Sequence, residues 1–555
     1  MEKITSQVKE VVAELYSVEV DFSVSRTELR FGDLACNVAM ILAKKLSRDP
    51  REIAEEISSK LRKSDELSEV VVAGPGFINI KFSDDYFFKI LDDIQNQGDN
   101  FGSNNLMEGK CVVIEYLDPN PFKELHIGHA YAGTVGDSIA CLYKLSGADV
   151  HRVTYQGDVG LHVAKAMYSI LSKVENNPEK MDCIPEDDRV AFLGQSYADG
   201  AAAYDEDELA RHAIHEINRK IYDKEDATLQ RIYDQGRAWS LEYFHSVYDR
   251  LHFTPFEKNY FESQTAKPGT ELVLSHIQDG VFEQSDGAVV FRGEKYGLHT
   301  RVFISSKGIP MYDAKDLALV TLKKVDYEYD QSVIITANEQ TPYFEVMLMA
   351  LEQFEPELAK KTVHIGHGEV RLPSGKMSSR TGKVIRAIDV LDDLEKLVQD
   401  EAPESPAIKA SALAAMKYAF LKNRIGGNIA FDLKESISLD GNSGPYLQYS
   451  YARAQSILSK ATTGTMTYNL GLEERTLIRK IIEYPEIIKE AYQDKMPHHI
   501  CTYLFDLAQE FNRFYEKNRV IGDEREQLRA RLISAYAQIL KNGLLALGIQ
   551  APEKM

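Results

Sequence analysis

The passage that most constrains the fold runs from residue 111 to residue 159. CVVIEYL (111–117) is a continuous apolar run, the pattern of a strand buried on both faces of a parallel sheet. The loop DPNPFKEL follows, then His126-Ile127-Gly128-His129. An apolar-periodic stretch then predicts a helix from about Ile127 to Leu145, stopped near Gly147. ADVHRVTYQGD reads as the next strand. Strand, crossover helix and parallel strand make a βαβ unit, whose ligands bind at the carboxyl ends of the strands. That is where the two histidines fall. A helix N-terminus offers unpaired N–H groups and a positive dipole end to polyphosphate. Gly128 admits close backbone approach, and His126 and His129 can donate to phosphate oxygens. Taken alone, two histidines three apart serve equally as caps or packing residues.

A second site, LPSGKMSSRTGK, follows the last strand of the α/β pattern. Lys376, Arg380 and Lys383, flanked by Gly375 and Gly382, form a cationic loop suited to closing over a triphosphate and neutralising the leaving pyrophosphate. A solvated basic turn is the competing reading of such a loop alone. Two phosphate-directed motifs, each at the carboxyl end of a strand, are mutually supporting.

The chain has 555 residues, too many for one core, and divides into three expected domains. Residues 1–105 read as an α+β domain: Ile53, Ile57 and Leu61 share a helical face, and VVVAGPGFINIKF reads as strand, turn, strand. A Rossmann-type parallel-sheet domain spans 106–405, with further strands at SVIITA and KTVHIGHGEV. An acidic, irregular insertion is expected near 170–300. An all-α helical bundle spans 406–555. No internal repeat is visible.

Net charge is −20, unfavourable for RNA, but unevenly spread. Residues 406–555 hold 20 Lys and Arg against 16 Asp and Glu, so the remainder carries −24. RNA contact is therefore expected through the C-terminal third. Five scattered cysteines, without a C-x-x-C pair, argue against a protein-bound structural metal or disulfides and fit a reducing cytoplasm. No apolar run approaches the roughly 20 residues of a membrane helix.

HIGH and KMSSR resemble the two ATP-binding motifs of class I aminoacyl-tRNA synthetases. IEYLDPNPFKELHIGH resembles the arginyl branch, with Glu115, then Asn120 five later and Lys123 three after that. GDVG (157–160), MYDAKD (311–316), NEQ (338–340), GPYLQYSYAR (444–453), YLFDLAQEFNRFY and the terminal LGIQAPEKM are similar to that family too, as are FGDLACNVAM and GPGFIN. The resemblance covers nearly the whole chain and is weakest in the acidic insert.

It implies activation of L-arginine by ATP, with Mg²⁺, and transfer to the 3′ end of tRNA-Arg. By resemblance, His126, Gly128, His129, Lys123, Lys376, Met377, Ser378, Ser379 and Arg380 bind ATP, with His126, His129, Lys123 and Lys376 catalytic. Glu115, Asn120, Tyr312, Asp316 and Gln340 hold arginine. Asp316 is the candidate for the guanidinium, four residues from Tyr312 on one helix face. Phe77, Asn79, Tyr449, Arg453 and Met555 contact tRNA, whereas Tyr515 is expected to be a packing residue. A monomer without membrane attachment, located in the cytoplasm, is the expectation.

Two departures stand out. Ser379 occupies the place of the usual second lysine of KMSKS, and Lys123 is the expected substitute. Asp118 in DPN replaces a serine, adding negative charge beside the pocket. His162, His364 and His367 stand near nucleotide-binding segments and read equally as core residues. A cysteinyl enzyme would need a zinc site that the cysteine spacing does not offer. A catalytically dead tRNA-binding protein would not need intact HIGH, Lys123 and Asp316.

Overall fold

The computed structural model describes residues 1–371, 385–462 and 464–555. The N-terminal domain is an antiparallel sheet of β1 (Val24–Arg26), β2 (Leu34–Cys36), β3 (Leu67–Ala73) and β4 (Phe77–Phe82), in the order β1-β2-β4-β3. Helices Glu2–Tyr16, Val38–Leu46 and Pro50–Leu61 pack with it around Ile53, Ile57, Ile78 and Ile80, all fully buried. Asp49 caps the third of these, accepting from the N–H groups of Arg51 and Glu52, with Pro50 at the first turn.

The central sheet is five-stranded and wholly parallel. It comprises β5 (Cys111–Tyr116), β6 (Asp149–Gln156), β7 (Lys258–Phe261), β11 (Gln331–Ala337) and β12 (Thr362–His367), in the order β12-β11-β5-β6-β7. The first two strands and the helix Ile127–Leu145 fall where the sequence places them. That helix lies on one face of the sheet. Helices Glu262–Ser275, Tyr312–Tyr327 and Thr341–Glu352 contribute Val273, Leu317 and Met347 to the core on the other. Between β7 and β11, a small antiparallel sheet of β8 (Glu283–Ser285), β9 (Ala288–Phe291) and β10 (Arg301–Ile304) adds Phe291 and Phe303 to the same core.

The stretch expected to be an irregular insertion is mostly regular. Helices Leu161–Lys173, Glu186–Glu206, Glu208–Asp223 and Ala227–Arg250 enclose their own core of Met167, Ile214, Ile232 and Trp239. Its acidic residues lie on solvated faces of amphipathic helices, which is why the composition reads as irregular. β7, inside the same stretch, is the edge strand of the central sheet.

The C-terminal helices, among them Ile408–Leu421, Gly444–Leu458, His498–Lys517 and Glu526–Ala546, form the expected bundle. It is joined to the N-terminal domain through charges: buried Asp33 pairs with Arg475 at 2.5 Å and Arg479 at 3.0 Å, and Arg475 reaches Asp84 at 3.0 Å. Glu474 takes up Arg529, at 3.0 Å, and Arg525. Much of the positive charge in this third is therefore matched by carboxylates and is not free surface charge. No described helix is long and apolar enough to cross a membrane.

Candidate active site

The site lies on the carboxyl edge of the sheet, around the loop leaving β5. That loop holds Leu117, Asp118 and Phe122 at φ of 79°, 41° and 66°, a cluster of left-handed non-glycine residues. Each costs on the order of 1 kcal/mol, and such strain gathers where a ligand must be met in a fixed geometry.

At the end of the loop, His126 caps the helix Ile127–Leu145 in extended conformation. Its backbone N–H donates to His129 Nδ1 at 3.0 Å, and the two rings lie 3.8 Å apart. With Nδ1 accepting, neutral His129 carries its proton on Nε2, available to donate. Burial and the nearby Lys123 charge bring the His126 imidazole down to about 4; burial and His126 hold His129 well below its usual range. Both rings are neutral donors at pH 7. His126 Nδ1 is buried with no hydrogen-bond partner among the described residues. A Cβ on Gly128 would come within 2.9 Å of the His126 ring, so only glycine permits this stacking. Lys123 Nζ sits 4.4 Å over the Tyr197 ring of the helical insert.

Lys376, Met377, Ser378, Ser379, Arg380 and Lys383 lie outside the described residues. The flanks of their segment are described. Ile127 N donates to Ile385 O at 3.1 Å, and Ala387 N to Leu125 O at 2.9 Å. Val370–Arg371 pairs with Ile429–Ala430. The chain leaving the second motif is thus hydrogen-bonded directly to the first.

Glu115, Asp118 and Asp316 form a cluster of carboxylates close enough that Glu115 raises the other two. Glu115, near the end of β5, is buried and ion-paired with Lys323 at 2.6 Å. Tyr312 opens the helix Tyr312–Tyr327 and is exposed; Asp316 follows one turn later and accepts the Tyr343 hydroxyl. Burial first, then the charges of Glu115 and Glu262, push the Asp316 carboxyl well above the carboxylate range, against the Tyr343 bond. Asp118 accepts from Tyr155 N–H at 2.7 Å, and burial with Glu115 raises it too.

Asn120 abuts Gly157, where a Cβ would fall 2.2 Å from Asn120 Oδ1. Gln340 is exposed at the start of the helix Thr341–Glu352, beyond the end of β11. Asp158, fully buried, accepts from Ser263 N–H at 2.9 Å, Ser263 Oγ at 2.7 Å, Arg237 at 2.8 Å and Tyr233 at 3.1 Å, fastening the GDVG turn to the insert.

Residues missed from the sequence include Lys323, Tyr343 and the buried Lys315–Glu262 pair at 2.5 Å. Only Lys323 had a signal, standing two helical turns beyond Asp316 on the same face. His162, His364 and His367 bond to Gly157 O, Thr336 Oγ1 and Gly368 O, holding local backbone and side chains.

On the bundle, Arg453 lies 5.2 Å from the Tyr449 ring and 5.8 Å from the Tyr515 ring. Tyr449 is 40% and Tyr515 38% exposed. Tyr515, expected to be a packing residue, belongs to the same open face, because helix His498–Lys517 presents its last turn beside Arg453. Met555 is half-buried at the end of the chain. Phe77, 40% exposed, and half-buried Asn79 lie on β4, far along the chain from these groups.

A parallel sheet with neutral imidazoles at a helix N-terminus on its carboxyl edge, a cluster of carboxylates and a helical C-terminal bundle fit a class I aminoacyl-tRNA synthetase. The sequence model described as "tRNA synthetases class I (R), catalytic domain" matches residues 91–432, so the chain belongs to the class I arginyl-tRNA synthetase family. "Arginyl tRNA synthetase N terminal domain" matches 2–82 and "DALR anticodon binding domain" matches 447–555. The chain is 28% identical to an arginine–tRNA ligase of Bacteroides thetaiotaomicron, covering 100% of this chain and 99% of that protein. It is 29% identical to one of Flavobacterium psychrophilum, covering 91% and 90%. The fold matches Thermus thermophilus arginyl-tRNA synthetase at a TM-score of 0.81 and 22% identity, with all of both chains covered. The Plasmodium falciparum enzyme gives 0.80 at 22%, covering 100% of this chain and 99% of that one.

Proposed function

We propose that the chain couples ATP to L-arginine, forming arginyl-adenylate and pyrophosphate, and then transfers the arginyl group to the terminal adenosine of tRNA-Arg. The observation that carries the choice of amino acid is the cluster of Glu115, Asp118 and Asp316, in which burial and the Glu115 charge push the Asp118 and Asp316 carboxyls up. A guanidinium supplies the missing positive charge and five planar donors. Asp316, aimed by Tyr343, takes the guanidinium, with Tyr312 against its face. Glu115 sets the potential of the cluster. Asn120 and Gln340 orient the α-amino and carboxylate groups.

In the first step the arginine carboxylate attacks the α-phosphorus in line, and the bond to pyrophosphate breaks. Mg²⁺ enters with ATP as part of the substrate. His129, and His126 beside it, donate to phosphate oxygens as charge builds, and Lys123 meets the leaving pyrophosphate in place of the lysine that Ser379 replaces. Lys376 and Arg380 act from the second motif. In the second step a ribose hydroxyl of the terminal adenosine attacks the acyl carbon and AMP leaves. No protein nucleophile takes part, and the rate comes from positioning and charge stabilisation. Tyr449, Arg453, Tyr515 and Met555 form the anticodon-facing surface, and Phe77 and Asn79 contact the tRNA elsewhere.

Charging of a tRNA-Arg transcript with labelled arginine, lysine or citrulline tests this. Charging by arginine alone is expected. Equal charging by citrulline, which has the shape without the charge, contradicts the role of the pocket.

A further inference from the structure

Lys417, on the helix Ile408–Leu421, is 1% exposed and has no part in the chemistry above. Its ammonium donates to Gly548 O at 2.9 Å and to His252 O at 3.2 Å, and lies 5.2 Å from the Phe253 ring. The Cβ position on Gly548 is 3.3 Å from Lys417 Nζ and 3.5 Å from Asp137 Oδ2, so ammonium and carboxylate border one small space. Asp137, 3% exposed, is further held by Arg152 Nε at 3.3 Å and the Tyr116 hydroxyl at 3.5 Å. Next to it, Ser138 Oγ donates to Ala546 O at 3.2 Å. The tail beyond Gly548 is gripped in turn by Gln448, which donates to Gln550 O at 2.8 Å.

A buried ammonium is costly, and an apolar side chain would fill this site at lower cost, so the charge calls for a reason. Asp137 sits in the same helix as His129, about 12 Å further along at 1.5 Å per residue. A helix moves as a rod over that length, so what fixes Asp137 axially also fixes the imidazoles.

We propose that Lys417 is a positioning residue for adenylate formation: held by the carbonyls of Gly548 and His252, its ammonium draws on Asp137 and sets the axial position of the helix whose first turn carries His126 and His129. This rests on the amino-acid activation reading above.

The charged and titratable groups facing Lys417 are Asp137 and Cys141 from that helix and His252, while Arg152 from β6 and Tyr116 from β5 face Asp137, and the tail meets the ammonium through the Gly548 carbonyl. Burial brings the Lys417 ammonium down to about 8, against the pull of Asp137 and Cys141. Burial holds the Cys141 thiol up at about 11, so it stays neutral in that window. The attraction to Asp137 is present below about pH 8 and lost as the pH rises through it. An arginine in its place stays charged throughout.

The test is ATP–pyrophosphate exchange by the full chain with arginine and tRNA-Arg across this pH range. In wild type, kcat is expected to fall as pH rises through about 8, at unchanged KM for arginine. Lys417→Arg should keep the neutral-pH rate and lose that decline. Lys417→Met should lower kcat at pH 7 roughly tenfold with little change in KM. Asp137→Asn should do the same, and the double variant should be no worse than either. A Lys417→Met enzyme with wild-type kcat, or a Lys417→Arg enzyme with the wild-type alkaline decline, overturns the proposal. If Lys417→Met does not fold, the Lys417→Arg profile and Asp137→Asn decide it. A wild type that exchanges no pyrophosphate with arginine overturns the activation reading and this role together. Variants that all match an active wild type overturn the role of Lys417 alone.

Discussion

Lys323 Nζ lies 2.6 Å from Glu115 Oε2, with both side chains closed off from solvent. The pair fixes how negative the cluster of carboxylates is, because Glu115 contributes to raising both Asp118 and Asp316. Removing one partner leaves an uncompensated buried charge. Lys323→Met should therefore destabilise the chain by about 3–5 kcal/mol. Urea unfolding of Lys323→Met, and of Lys323→Met combined with Glu115→Gln, checks this. The double variant is expected to recover most of the loss, and a double variant as unstable as the single one argues that the site is merely poorly packed.

Asp316→Asn removes the charge-assisted bond to a guanidinium while keeping the side-chain shape. kcat/KM for arginine should fall roughly 10- to 100-fold, with the KM for ATP little changed. Tyr343→Phe, which frees the Asp316 carboxylate from its hydroxyl partner, should give a smaller loss in the same direction. Steady-state kinetics with each substrate varied in turn separates the two; a parallel change in both KM values counts against the assignment.

Lys123 is parked over Tyr197, within a side chain's reach of the histidines. Acting on transition-state charge, its loss in Lys123→Ala should reduce the activation rate roughly 100-fold while arginine binding holds. Single-turnover adenylate formation measures the rate, and equilibrium binding of arginine the control. Wild-type activation in the variant shifts the role to Arg380 or Lys383.

Much of the architecture was legible because its signals are local. The apolar run of β5, the turn and the periodic helix after it are each complete within a few residues, and HIGH is read in one glance. β7 was not legible: KNYF is a four-residue edge strand with no apolar run. The helical insert was hidden because its acidic faces dominate its composition. The pocket was half legible. Tyr312 and Asp316 were legible only through the family resemblance, since their spacing alone reads as a surface helix start, and Lys323 and Glu115 are 208 residues apart and Lys315 and Glu262 are 53 apart, so nothing along the chain announces that they neutralise each other. For the same reason the positive C-terminal third looked like free surface, whereas Arg475 and Arg479 are engaged with Asp33.

With those charges engaged, the surface proposed to read RNA at the bundle is the open face of Tyr449, Arg453 and Tyr515. Stacking or hydrogen bonding to an unpaired base is worth about 1–3 kcal/mol by substitution. Arg453→Ala should raise the KM for tRNA-Arg roughly tenfold, with a smaller effect at saturating tRNA. Charging of tRNA-Arg and an anticodon-swapped transcript by both proteins is the check. Equal discrimination by the variant means that this face does not read the anticodon.

The central claim is that the cluster of Glu115, Asp118 and Asp316 selects arginine for activation by ATP. ATP–pyrophosphate exchange, run with each standard amino acid in the presence of total tRNA, tests it most directly. Exchange with arginine far above every other amino acid, abolished by Asp316→Asn, is the predicted result. Exchange with a neutral amino acid at a comparable rate, or arginine-dependent exchange untouched by Asp316→Asn, contradicts it.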